Sequence, residues 1–429
     1  MSATALTCRE CSAEYPLEAR FVCSRCFGPL EVAYAPFGAG SDVDAIRRRI
    51  QAGPRSIWRY ADFLPLDAGA PAGSGEFSTG GGLPAGATPL VKADRLAEAL
   101  GLREVWVKND AANPTHSFKD RVVAVAAARA KELGFTTLAC ASTGNLAGAV
   151  AAAGAAYGLP TYVFIPSDLE EQKILSTGAY GANVVTIRGN YDDVNRLCTE
   201  IAGEHEDWAF VNVNMRPYYA EGSKTLAYEI AEQLGWRAPD RIVAPIASGS
   251  LFTKIGKGFK EWLDLGLITG SSVTADGLPR MSGAQAEGCN PVAAAYAAGT
   301  DVCRPVKPDT IAKSLAIGNP ADGPYAVELA RATDGTIDDV TDEEIRHGIR
   351  LLAETTGIFT ETAGGVTTAT LRKLAESGRI DPDERVVLVI TGDGLKTLDA
   401  VRGTFECTEI DARYEQFEER VQPRTEVTV

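Results

Sequence analysis

The chain has 429 residues, 45% of them hydrophobic, and a formal net charge of -15 with a pI near 4.9. That length buries a full core in about two or three domains, and so acidic a balance argues against nucleic acid or an anionic membrane as partner. No stretch approaches the roughly 18 apolar residues of a bilayer span, and MSATALTCRECSAEYP lacks the basic start and apolar core of a signal peptide, so the expected location is cytoplasmic.

Residues 1–34 differ from the rest. Cys8, Cys11, Cys23 and Cys26 follow C-x2-C-x11-C-x2-C, two knuckles facing each other across a small hairpin, a spacing suited to a tetrahedral zinc ion. So small a module buries too little apolar surface to fold alone, and a structural metal supplies the missing stability. The alternative is that the thiols hold no ion and the segment simply packs on the larger body. Residues 35–87 read as an arm and linker, since Leu66 to Gly86 is rich in Gly, Ala, Ser and Pro and lacks periodicity.

From Thr88 strands and helices alternate. VWVKN precedes a helix after Ser117; TTLACA, TYVFIP, NVVTI and AFVNV alternate with helices over GNLAGAVAAAGAAYG, near EEQKIL and over DDVNRLCTEIA. A helix over GSKTLAYEIAEQLG, the strand RIVAPIA, a helix over LFTKIGKGFKEWLDLG and the strand RVVLVIT complete the pattern. Such alternation predicts an α/β fold with largely parallel sheets covered by helices on both faces.

In parallel sheets ligands collect beyond the carboxyl ends of the strands, so the loops there are the candidate site. In NPTHSFKDR, Ser117 reads as an N-cap with Asp120 at capping-box spacing, and Gly134 stops the helix behind them. Lys119 then falls in the first helical turn, where the helix dipole and partial burial disfavour an ammonium. A lysine with a lowered pKa is a nucleophile for aldehydes, although the same spacing also fits an exposed helix-start lysine.

Ser142, Thr143, Gly144 and Asn145 open a helix and suit an anion such as a carboxylate, and Ala247, Ser248, Gly249, Ser250 and Leu251 suit a phosphate at a helix start. No G-K-[ST] follows, so a phosphorylated cofactor fits better than a triphosphate. Either loop also reads as a plain strand-to-helix turn. Thr391 offers a hydroxyl to a heteroaromatic nitrogen. Asn214, Arg216 and Lys224, within Asn212 to Lys224, form a candidate receptor for a substrate phosphate. With three histidines and no H-E-x-x-H or G-x-S-x-G, a zinc hydrolase or serine-type triad has little to work with.

The segments CRECSAEYP, CFGPLEVAY, NPTHSFKDR, ASTGNLAG, NVNMRPYYAEGSKT, PIASGSLFTKI, SGAQAEGCNP, KPDTIAKSLAIGNPADG, GIFTETAGG and ITGDGLKT together resemble the threonine synthases, within the fold-type II (tryptophan synthase β-like) pyridoxal-phosphate enzymes. The resemblance implies two parallel-sheet αβα domains behind the cysteine module. Residues 88–429 would be the catalytic region, with a mobile small domain at about 122–230. It makes Lys119 the Schiff-base lysine of pyridoxal 5'-phosphate and Asn145 the partner of the phenolic oxygen. Ala247 to Leu251 would cradle the cofactor phosphate, and Thr391 would face the pyridine nitrogen. Ser117, Ser142, Thr143, Asn214, Arg216 and Lys224 would surround the substrate. The implied reaction turns O-phospho-L-homoserine and water into L-threonine and phosphate, in a homodimer. A β-replacement or elimination on phosphoserine or serine, as in a cysteate synthase or a dehydratase, is the alternative within the same chemistry. A knuckle-bearing regulator is the alternative outside it, with only Arg9, Arg20 and Arg25 to offer a nucleic acid.

Overall fold

Runs such as RIVAP and RVVLVI, apolar at almost every position, are built for burial on both faces of a sheet. In the computed structural model, which describes residues 1–35, 42–67, 82–142, 144–167, 169, 171–189 and 191–421, they occupy its middle. Among the described residues the larger sheet has the spatial order Ile337–Val340, Arg280–Ala286, Arg241–Pro245, Arg385–Ile390, Glu104–Asn109, Leu90–Lys92. All its pairings are parallel except that of the short edge strand Leu90–Lys92. A second, all-parallel sheet has the order Asn183–Ile187, Thr161–Pro166, Thr137–Ala141, Trp208–Phe210.

Register brings the candidate loops together. Arg385–Ile390 and Glu104–Asn109 end level, with Ile390 opposite Asn109. The chains leaving them therefore meet: Ser117 bridges to Gly392, and the Phe118 N–H donates to the Thr391 carbonyl at 3.0 Å. The helix Lys119–Glu132 starts at this junction and is wholly Val and Ala from Val122 to Ala128, all buried, as suits a helix enclosed on all sides.

Its start differs from the expected capping box. Ser117 is fully buried in the bridge to Gly392 and its hydroxyl has no partner among the described residues. Asp120 turns back instead to Thr115, accepting its N–H and its hydroxyl at 2.7 Å each. Being committed to the bridge, Ser117 leaves the side-chain capping role unfilled, and Phe118 holds the cap position.

The strands Arg280–Ala286 and Ile337–Val340, and the helices Asp342–Thr356 and Thr362–Glu376, lie beyond the elements read from the sequence. RMSGAQA carries no β-branched run because its neighbours press in, with Ile246 and Ile337 filling the space where Gly283 would have a side chain. Most of the expected linker, 68–81, lies outside the described residues.

The cysteine segment folds as a three-stranded antiparallel sheet, Glu14–Tyr15, Ser2–Cys8, Leu30–Ala35, rather than a bare hairpin. Leu6, Leu30 and Val32 share one core with Val122, Leu138 and Tyr218, so it is packed into the body.

Beneath the junction lies a buried ion cluster. Arg121 forks onto Asp110 (2.6 and 2.9 Å) and onto Glu229 (2.7 and 2.8 Å), while Lys108 also reaches Glu229 at 2.8 Å. Thr88 donates to Asp110 and accepts from Arg121. All four charged side chains are nearly or fully buried, two of each sign. Removing one partner of such a group leaves a buried charge uncompensated. Arg121→Met should therefore cost about 3–5 kcal/mol of unfolding free energy, read from the denaturant midpoint, and Arg121→Lys should recover little of it because an ammonium cannot fork onto two carboxylates.

Candidate active site

The carboxyl ends of the two sheets face a common cavity of about 240 Å³. Lys119 lines it, with its Nζ 2.9 Å from the Tyr219 hydroxyl and 4.6 Å from the Phe118 ring centre. Removal from bulk water pushes the ammonium down to about 8; the Glu361 carboxylate and the Cys140 thiol pull the other way but do not offset it. Burial, more than helix position, is thus what favours the free amine.

Asn145, first residue of the helix Asn145–Tyr157, is clamped from both sides. Its Nδ2 donates to both Glu361 oxygens (2.8 and 2.9 Å) and its Oδ1 accepts from Lys396 at 3.0 Å. Lys396 also donates to the Thr115 carbonyl at 2.6 Å. Ser142 lines the cavity and accepts the N–H groups of Gly144 and Ala147 at 3.0 Å each, so its hydroxyl holds the loop. Thr143 lies outside the described residues.

Ala247 to Leu251 form another wall. Gly249 sits at φ +97, and a Cβ there would stand 2.6 Å from the Asp322 carbonyl oxygen. The loop backbone thereby packs directly on Asp322 at the start of the helix Ser250–Asp264, whose first N–H groups have no acceptor within the helix. Thr391 lines the same space. Arg216, on the helix Arg216–Glu221, also faces it and donates to Asp322 at 2.7 Å, while the Asp322 N–H donates to the Ser248 carbonyl at 2.8 Å.

Three expected residues are elsewhere. Ser117 is sealed in the junction. Asn214 spends its amide on the Phe210 N–H (2.9 Å) and the Trp208 carbonyl (3.0 Å), closing the turn after the strand Trp208–Phe210; Asn212, two residues earlier, is the one that lines the cavity. Lys224 is fully buried between Glu221 (2.7 Å) and Glu261 (3.1 Å), under the Tyr34 ring. Local charge composition could not separate a cation facing the cavity from one neutralised behind it.

Residues not singled out from the sequence complete the wall. Glu361 precedes the helix Thr362–Glu376 and fills the space that Gly392 leaves open. Ser314 has a buried hydroxyl with no partner among the described residues. Phe21 reaches the cavity from the cysteine segment. GIFTETAGG was a signal for Glu361 and KPDTIAKSLAIGNPADG for Ser314; Phe21 had none before the fold brought it to the cavity.

In that segment the four sulfurs of Cys8, Cys11, Cys23 and Cys26 lie within 4.8 Å of one another. Between the first two, Arg9 stacks 3.5 Å from the Tyr325 ring centre and Glu10 accepts the Tyr325 hydroxyl. Tyr325 belongs to the helix Gly323–Ala332, which follows Asp322 directly.

The model of the "Pyridoxal-phosphate dependent enzyme" family matches residues 83–392. The chain is 38% identical to the threonine synthase of Methanosarcina acetivorans over 97% of its own length and 98% of that protein's. It is 36% identical to the threonine synthase of Methanocaldococcus jannaschii over 94% and 96%. Among solved structures it resembles a fungal L-serine ammonia-lyase from Rhizomucor miehei with a TM-score of 0.60 at 21% identity, covering 75% of this chain and 99% of that one. Threonine deaminase isoform 2 from Solanum lycopersicum gives a TM-score of 0.59 at 19% identity, covering 90% and 98%. No helix among the described residues is long and apolar enough to cross a membrane.

Because the Lys119 amine is freed above about pH 8 rather than 10.5, its reductive alkylation by a small aldehyde in cofactor-free protein should rise through pH 8. Peptide mapping across a pH series reads this; labelling that climbs only above pH 10, as at ordinary lysines, would contradict it.

Proposed function

The chain belongs to the threonine synthases within the pyridoxal-phosphate-dependent enzymes, and we propose how its own residues divide the conversion of O-phospho-L-homoserine and water into L-threonine and phosphate. The walls suit the cofactor: an amine of lowered pKa, a glycine loop opening a helix, and a threonine on the same cavity. Bound there, pyridoxal phosphate supplies an aldehyde for the amines of lysine and substrate and a ring that draws electrons from the substrate Cα.

Lys119 is the attachment point and the base that takes protons from Cα and then Cβ. Ala247, Ser248, Gly249, Ser250 and Leu251 hold the cofactor phosphate. Asn145, oriented by Glu361 and Lys396, would face the phenolic oxygen, and Thr391 would offer the ring nitrogen a weak, uncharged partner. Ser142 and the helix start behind it orient the α-carboxylate. Arg216 holds the substrate phosphate, for which it must exchange Asp322. Protons leave Cα, Cβ and water and arrive at Cα, Cγ and the phosphate oxygen, with the hydroxyl at Cβ. The observation that supports this reading most is the lowered Lys119 amine in a cavity also bounded by the glycine loop and Thr391.

Three wider readings accompany it. The four cysteines suit a structural zinc ion, in chemistry and in convergence. The body around the four-stranded sheet, about 122–230, closes over the cavity and keeps water out until phosphate has left. Leu395, Leu398, Phe405, Tyr414 and Phe417 are exposed along the C-terminal stretch, which suits burial in a homodimer. The enzyme works in the cytoplasm on a small molecule.

Purified protein given O-phospho-L-homoserine should release phosphate and threonine together. Lys119→Ala should abolish both, and Arg216→Met should raise KM at least about tenfold with a smaller change in kcat, as expected for lost binding of a charged group. Phosphate released from phosphoserine but not from phosphohomoserine would overturn the substrate assignment. Cys8→Ser should lower bound zinc, measured by elemental analysis, and depress the melting temperature; an unchanged melting temperature would refute a structural role.

A further inference from the structure

The substrate phosphate leaves with the electron pair of the Cγ–O bond, and a fully ionised phosphate is a poor leaving group unless a proton meets it. Arg216 is committed to holding the phosphate, and Lys119 works at the carbon atoms, so a third group must hand the proton over. Tyr219 stands between them. It lies one helical turn beyond Arg216 on Arg216–Glu221, lines the same cavity, and places its hydroxyl 2.9 Å from Lys119 Nζ.

We propose that Tyr219 is the general acid for the departing phosphate and that Lys119 recharges it. This rests on Lys119 and Arg216 acting as proposed above. As the Cγ–O bond breaks, the Tyr219 O–H proton passes to the leaving oxygen. The phenolate then takes a proton from the Lys119 ammonium across their hydrogen bond. That proton is the one Lys119 removed from Cα, so the relay frees the amine to take the Cβ proton as phosphate departs. Lys119 then delivers the Cβ proton to Cγ and, once water has added at Cβ, the proton from water to Cα, so the overall balance closes without an added acid.

The surroundings suit this task. Burial raises the Tyr219 hydroxyl, the thiol of Cys140 adds to the shift and Arg216 opposes it, so the residue stays protonated while Lys119 is pushed down to about 8. Tyr191, lining the same wall, is raised by burial as well; the acceptor its hydroxyl offers goes to the Asn212 amide at 3.4 Å. Tyr219 is the hydroxyl that touches the base.

Tyr219→Phe keeps the ring and deletes the acid. In the holoenzyme in deuterium oxide, exchange at the substrate Cα by NMR reports the Lys119 step, and phosphate release reports departure of the leaving group. Exchange should persist within about threefold while release falls about 10²-fold or more, the span of general acid catalysis. In the cofactor-free variant, aldehyde labelling of Lys119 should still occur. An equal fall in exchange and release would reduce Tyr219 to positioning Lys119 and overturn the proposal, as would unchanged release. Absence of Cα exchange in the unsubstituted enzyme would instead sink the assignment of Lys119 on which it stands.

Discussion

The fork of Arg121 onto two buried carboxylates is the constraint that the site hangs from. Arg121 lies two residues beyond Lys119, and its partners come from three places: Asp110 after the strand Glu104–Asn109, Glu229 on the helix Thr225–Gln233, and Thr88 ahead of the edge strand. Shifting the lysine turn would pull a guanidinium off partners that no water can replace. A pair of buried ions is weak support for stability by itself, but a fork with fixed geometry is strong support for position. The turn is thereby held against the sheet while the side chain two residues earlier remains available for chemistry.

Around the cavity, charges are arranged in pairs that a ligand can rearrange. Arg216 rests on Asp322, and Asn145 rests between Glu361 and Lys396. Among the described residues Lys119 has no carboxylate in hydrogen-bond contact, only the Tyr219 hydroxyl, so burial pushes its ammonium down with no ion pair beside it. The same distinction disposes of Lys224, whose two carboxylate partners make it part of the scaffold.

Much of this could be read in the chain before folding. Lys119, the loop at Ala247 to Leu251 and Thr391 follow strands whose apolar runs are unmistakable, so topology alone sends them to one edge. Ser117 and Asn214 misled for one reason: small polar residues in tight turns bind backbone as readily as ligand, and only tertiary context decides. Glu361, Tyr219 and Phe21 come from a helix start, a short helix and a distant module, with no shared spacing to announce them. The strand RMSGAQA hid because close packing against Ile246 and Ile337 selects small residues over the β-branched ones that mark strands.

The grip of the knuckle residues Arg9 and Glu10 on Tyr325 joins positions 315 residues apart, and Tyr34 reaches Glu221 across 187. The four cysteines, by contrast, are contained within 18 residues. During synthesis the cysteine segment emerges ahead of the body and can therefore complete its own cluster early, yet must wait for most of the residues that follow before its docking surface exists. Contacts so distant in sequence close late and slowly. The wall that Phe21 adds to the cavity is thus among the last parts of the site to arrive, although it is made before every other residue that lines it.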